Sequence, residues 1–123
     1  NCSAVEHVGL SGRYGIVDAD TNGDLLAMEK MNRHMKRGAV MLLTIPVGID
    51  EVFEPSCRVY GEHRLPLLLE GFNVQREAYW TKDDENRWCN GGRAEALRYK
   101  ASAGANDWRQ NVYGLGCFVL TKP

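Results

Sequence analysis

Polar and apolar residues change their rhythm twice along this chain. Over residues 7–17 they alternate loosely around Ser11-Gly12-Arg13, which predicts a hairpin. Residues 18–24 form a cluster of Asp, Asn and Thr around Gly23, a turn rich in capping groups. From 25 to 37 the period becomes that of a helix, with Leu25, Met28, Met31 and Met35 on one face. Asn22 or Asp24 can cap its start, Arg33, Lys36 and Arg37 suit its C-terminal dipole, and Gly38 ends it. Beyond Gly38 the pattern is one of strands and turns. Segments 40–45, 65–69, 74–81, 94–99 and 108–113 read as strands. They are separated by the loop 54–57, by Glu70-Gly71, by the polar run 82–86, by Asn90-Gly91-Gly92 and by 102–106.

One N-terminal helix followed by antiparallel strands is an α+β architecture, with the helix packed across one face of a mainly antiparallel sheet. The 123 residues show no repeat, linker or low-complexity tract, so a single domain over 1–123 is expected. Composition agrees with an ordinary globule, at 44% hydrophobic and 25% charged residues. The net charge of −1, from 15 basic and 16 acidic side chains, lacks the basic surplus of a protein that grips many phosphates. The longest apolar stretch, 39–47, is broken by Thr44 and Pro46 and falls far short of the ~20 residues a membrane span needs, so no membrane partner is expected.

The cysteines stand at 2, 57, 89 and 117, and none forms Cys-x-x-Cys. Their even number, and an opening Asn1-Cys2-Ser3 that reads as if a leader had been cut away, predict a secreted protein with two disulfides. Of the three pairings, Cys2–Cys117 closing the two ends with Cys57–Cys89 inside is favoured, each bond contributing about 2–4 kcal/mol.

The sharpest local motif is Asp18-x-Asp20-x-Asn22-Gly23-Asp24-Leu25 with Glu29, which fits a calcium loop of the EF-hand type. Its ligands would be Asp18, Asp20, Asn22, Asp24 and Glu29, hard oxygens of the kind Ca²⁺ takes. Gly9, Gly12 and Gly15 stand where the entering helix belongs, and there is no second hand. A turn that caps a helix is therefore the weightier reading and a calcium-binding module its rival. Elsewhere, Tyr60-Gly61-Glu62-His63-Arg64 is a dense ionisable cluster suited either to acid/base work or to a solvated turn. Trp80, Trp88 and Trp108 suit either stacking on bases or core packing.

The order of these elements, a Cys near residue 2, a hairpin, one helix and a sheet closing on a late Cys, resembles the small secreted fungal ribonucleases. It resembles more closely their catalytically silent relatives, the effectors of cereal powdery mildews. The likeness is carried by Leu65-Pro66 opening a strand, Val74 to Tyr79 as the next, Gly91-Gly92, a strand to Tyr99, and Val112 to Cys117. It implies a ribonuclease-like, disulfide-stapled fold. Such enzymes use a strand Glu as base, an Arg on the phosphate and a His acid on a late strand. Here no histidine follows position 63, the base position falls near Ala78 with Glu77 one residue off, and the Arg position falls near Glu95 with Arg93 and Arg98 close by. The resemblance thus implies a monomeric pseudoenzyme and virulence effector, secreted and delivered into host cells. It would bind a host protein, an immune receptor among the candidates, and RNA only weakly. Its anchors would be Tyr60, Arg64, Trp88, Arg93 and Arg98. The rival reading is an active secreted ribonuclease using His63 with Glu62 or Glu77.

Overall fold

A computed structural model describes residues 1–102 and 112–123. The helix α1 spans Gly23–His34 and is followed by strand β1, Val40–Val47. A short hairpin of β2, Glu51–Phe53, and β3, Cys57–Val59, comes next, then the five-residue helix α2, Arg64–Leu68. Strands β4, Asn73–Lys82, and β5, Trp88–Gly91, precede the helix α3, Arg93–Leu97, and β6, Gly114–Thr121, ends the fold. The main sheet has the order β1-β6-β4-β5 with every neighbour antiparallel. The α+β class and the antiparallel sheet expected from the sequence are both present. The order is not a plain meander, because the last strand, β6, enters between β1 and β4.

Strand β1 shows why the sheet forms here. Met41, Leu43, Ile45 and Val47 point inward, while Val40 and Leu42 on the alternate positions stay exposed. Opposite them β6 turns in Gly116, Phe118 and Leu120, and β4 turns in Tyr79. Met28 of α1, Leu65 and Leu68 of α2, and Ala96 and Leu97 of α3 close this core from the helical side. Each large apolar side chain so buried contributes about 1.5–3 kcal/mol. The methionine stripe of α1 faces inward as its spacing predicts, with Leu25, Met31 and Met35 packed on the core's margin. The helix stops three residues earlier than the pattern suggested, at His34, and the chain reverses through Gly38 to donate from its N–H to Lys122 O at 2.9 Å.

Three sequence expectations are corrected. Residues 7–17 form no hairpin. Val5–His7 is a 3-10 turn, and a string of tight turns follows. Gly9 takes φ +79° there, where a Cβ would stand 2.5 Å from Asp20 O. The segments 65–69 and 94–99 are not strands but hold α2 and α3. Leu65 and Leu68 of α2 and Leu69 just after it are buried while Leu67 is half exposed, a helical rather than an alternating rhythm. Pro66 sits in the first turn, where no N–H is required of it. The cap comes from a distance: the Asp50 carboxylate accepts from the N–H groups of Gly61, His63 and Arg64 at 2.7, 2.9 and 3.1 Å. Two of the strands that carried the ribonuclease resemblance are therefore short helices. Asn90 and Gly91, expected in a turn, are the last two residues of β5. Most of the expected strand 108–113, Trp108 included, lies outside the described residues.

No disulfide of the expected framework is present in the structure, where all four cysteines are free thiols. Cys2 lies beside Thr44 in an isolated parallel bridge, and Thr44 pairs on its other side with Cys117. Two inter-strand spacings, roughly 10 Å, thus separate Cys2 from Cys117, beyond the ~7 Å that a disulfide can span between Cα atoms. Cys57 is buried in β3, whereas Cys89 is exposed on β5, its thiol 3.7 Å from Asp83 Oδ2. Thiol titration of the unfolded, unreduced protein is expected to count all four cysteines. A bridged Cys2–Cys117 peptide in a non-reducing digest would contradict the strand order.

The approach of the chain to Asp50 sets a second expectation. A Cβ at Gly61 would meet Asp50 N and Gly48 O at 2.6 Å each, both of them backbone atoms that cannot swing away. Gly61→Ala is expected to cost about 1–3 kcal/mol, read as a lower urea midpoint at unchanged m-value.

Candidate functional site

The residues singled out by the sequence fall into three separate places. The first is a buried charge cluster. Asp24, wholly buried, receives Arg64 Nε at 3.0 Å on Oδ2 and Arg64 Nη2 at 2.5 Å on Oδ1. Tyr60 donates its hydroxyl to Oδ2 at 3.0 Å, and Arg58 Nε lies 3.8 Å from Oδ1. The two arginines also donate to the loop in front of α1: Arg58 to Asp20 O at 2.8 Å and to Val8 O, and Arg64 to Thr21 O at 2.5 Å. Burial, and then the carboxylate beside it, push the Tyr60 hydroxyl far above its ordinary range, while the hydrogen bonds to Asp24 raise Arg64. Tyr60 and Arg64 are thus internal fasteners, which corrects their expected place as surface anchors.

The same cluster redirects the calcium-loop residues. Asp24 is occupied by arginine, Asp20 Oδ1 accepts from Asn22 N at 3.0 Å, and Glu29 pairs with Arg33 at 2.9 Å on the exposed face of α1. Asp18 is exposed. Among the described residues no three His, Cys, Asp or Glu side chains converge as metal ligands.

The second place is the seam between α3 and β4, where Arg93 Nη1 donates to Glu77 Oε2 and to Tyr79 Oη, both at 2.9 Å. Tyr79 in turn donates to Glu77 at 3.0 Å, and burial together with that bond raises its hydroxyl. Arg98 pairs loosely with Glu62 at 3.8 Å. No hydrogen bond or ion pair joins Glu62, His63 and Glu77, the residues of the ribonuclease alternative. The third place is the β5 edge. There Trp88 is 43% exposed, with Lys82 Nζ 4.6 Å above its ring and the Tyr113 ring centroid 6.3 Å away.

The arrangement richest in chemistry was not visible in the sequence. A cavity of about 500 Å³ opens between the N-terminal turn, the loop after it, β1 and β3, and its wall includes Ser3, Glu6, His7, Arg13, Ser56, Cys57 and Tyr113. The 3-10 turn turns both Val5 and Glu6 inward, leaving Glu6 only 2% exposed. Its Oε2 is closed off from water and has no hydrogen-bond partner. Burial raises the carboxyl to about 7, against the pull of its own backbone N–H and of the Arg13 guanidinium. His7 Nδ1 lies 2.6 Å from Ser56 O. A carbonyl only accepts, so the proton sits on Nδ1 and the bare Nε2 faces Glu6 Oε1 at 3.7 Å. Burial lowers His7 and keeps the ring neutral, and the same cause pushes the Cys57 thiol up and away from a nucleophilic thiolate. Arg13 makes no side-chain hydrogen bond or ion pair among the described residues, and its guanidinium carbon lies 5.2 Å from the Tyr14 ring centroid.

A carboxyl raised towards neutrality, one of its oxygens buried without a partner, thus lines the same cavity of this α+β domain as an unpaired guanidinium. The family described as "Caenorhabditis protein of unknown function, DUF268" matches residues 1–100, and the chain belongs to it. No curated protein and no solved structure matches the chain.

Proposed function

We propose that this domain binds a small polar ligand in the Glu6 cavity. The observation that carries the reading is Glu6, which lines a 500 Å³ space and whose buried Oε2 has no hydrogen-bond partner. Buried polar groups are satisfied in nearly all folded proteins, and an orphan costs about 1–3 kcal/mol. A ligand donor in the cavity toward which the Glu6 carboxyl turns its closed-off oxygen removes that penalty, so part of the binding free energy is already stored in the free protein. The volume suits a metabolite-sized molecule. The raised Cys57 thiol, and the pairing of Glu62 with Arg98 and of Glu77 with Arg93 rather than with His63, favour binding over nucleophilic or ribonuclease chemistry.

The test is a thermal-shift screen of amino acids, hydroxy acids, amines and sugars against the wild type and Glu6→Gln. A ligand at a hundredfold excess over Kd stabilises by about 2.7 kcal/mol. A compound that raises the melting temperature of the wild type and much less that of Glu6→Gln supports the reading. Equal shifts in both proteins, or none with any compound, would sink it.

A further inference from the structure

The cavity holds a carboxyl and a guanidinium that do not pair with each other. Glu6 and Arg13 both line it, and no ion pair joins them. Arg13 acts on Glu6 only as a field from a distance. Among the described residues each therefore lacks a counter-charge, and a molecule that supplies only one leaves the other unmatched. We infer that the ligand is a zwitterion of the α-amino acid type, its ammonium on Glu6 and its carboxylate on Arg13. This rests on the cavity reading above and narrows it to one chemical class.

The surrounding groups agree with that orientation. His7, on the same turn as Glu6, presents the bare Nε2, which accepts a hydrogen bond from an ammonium and repels nothing. Among the described residues β3 contributes the neutral Cys57 thiol and the position before β6 the Tyr113 phenol, each raised by burial and so uncharged at neutral pH. No second cation among the described wall residues competes with Arg13 for a carboxylate, and no second carboxylate competes with Glu6 for an ammonium. A carboxylate meets the planar Arg13 guanidinium through two parallel N–H···O bonds. The remaining volume leaves room for a side chain, so the inference covers the class and not one amino acid.

Binding in this orientation carries a proton with it. An ammonium beside Glu6 favours the ionised carboxyl, so the fraction of Glu6 that is protonated in the free protein releases its proton to solvent. The other described titratable groups on the cavity wall, His7, Cys57 and Tyr113, stay neutral on both sides of the step, and Arg13 stays charged.

The experiment is isothermal titration calorimetry on the whole chain at pH 7. The probes are L-alanine, L-leucine and L-phenylalanine, each compared with its N-acetyl form, which lacks the ammonium, and its amide, which lacks the carboxylate. At least one free amino acid is expected to bind, and each blocked form to bind at least tenfold more weakly. Repeating the titration in buffers of different ionisation enthalpy is expected to show a fractional proton released. Arg13→Ala, at the partly exposed mouth, is expected to weaken the free amino acid about tenfold and the amide hardly at all. This variant keeps the test decisive even if Glu6→Gln perturbs folding. If the blocked forms bind as well as the free ones, or protons are taken up, the zwitterion inference is overturned while the cavity reading survives. If none of the nine probes binds at concentrations on the order of 10 mM, the inference fails for this class. Silence across the broader thermal-shift screen as well would take the cavity reading with it.

Discussion

Replacing Asp24 with alanine is expected to lower the unfolding free energy by about 3–5 kcal/mol. The carboxylate is wholly buried and holds Arg64, Tyr60 and, at longer range, Arg58. Without it, two guanidinium groups remain in the interior, Arg58 at 3% and Arg64 at 20% side-chain exposure, with no counter-charge. The damage extends to the loop in front of α1, because the same arginines hold its carbonyls at Val8, Asp20 and Thr21. A domain with a typical stability of about 5–15 kcal/mol would lose a large share of it. Urea denaturation at pH 7 measures the effect. Glu29→Ala is the contrast, since its pair with Arg33 has both side chains more than half exposed and is worth no more than about 0.5 kcal/mol. Equal losses in the two variants would mean that the buried cluster does not fasten the fold.

Glu6→Gln is expected to change how stability depends on pH. In the unfolded chain the carboxyl ionises near 4.5, and in the folded protein near 7. Between those values the folded state holds a proton that the unfolded state has released, so unfolding gains as pH rises. Wild-type stability therefore falls from about pH 4.5 to about pH 7 and is level above that. A separation from 4.5 to about 7 is worth about 3 kcal/mol. His7 acts with the opposite sign. Its folded value is lowered, so its contribution is present above about 6.5 and is lost as pH falls below that. Glutamine removes the first effect and leaves the second. The variant should match the wild type near pH 4.5 and exceed it increasingly up to pH 7. Chemical denaturation at a series of pH values reads the difference, and parallel curves for the two proteins would show that Glu6 titrates normally.

Much of the fold was legible because some segments are long enough to display a period. Over its 12 residues α1 completes three turns, and Met28 and its neighbours mark the buried side unmistakably. The eight residues of β1 and ten of β4 show strand chemistry over several repeats. The five-residue helices α2 and α3 do not. Leu65-Pro66-Leu67-Leu68-Leu69 satisfies either period, and what decides it is the carboxylate of Asp50, folded against the backbone of 61–64. The calcium-loop motif failed to settle its own geometry for a similar reason. Its local spacing is correct, yet Asp24 faces arginines 34 and 40 positions further along the chain.

The sequence by itself determined the α+β class, the long helix with its buried face, and two of the four strands of the main sheet, because these follow from side-chain periodicity within one segment. It also determined the absence of an overall phosphate-binding charge, which needs only counting. Tertiary structure alone decided the neighbours. Strand order set Thr44 between Cys2 and Cys117, which no cysteine count reveals. The packing of the N-terminal turn against β3 removed Glu6 from water and brought Arg13, His7 and Cys57 around one cavity. A carboxyl's proton affinity depends on the dielectric and charges around it. Those are properties of the folded surroundings, and so the site exists only once distant segments have met.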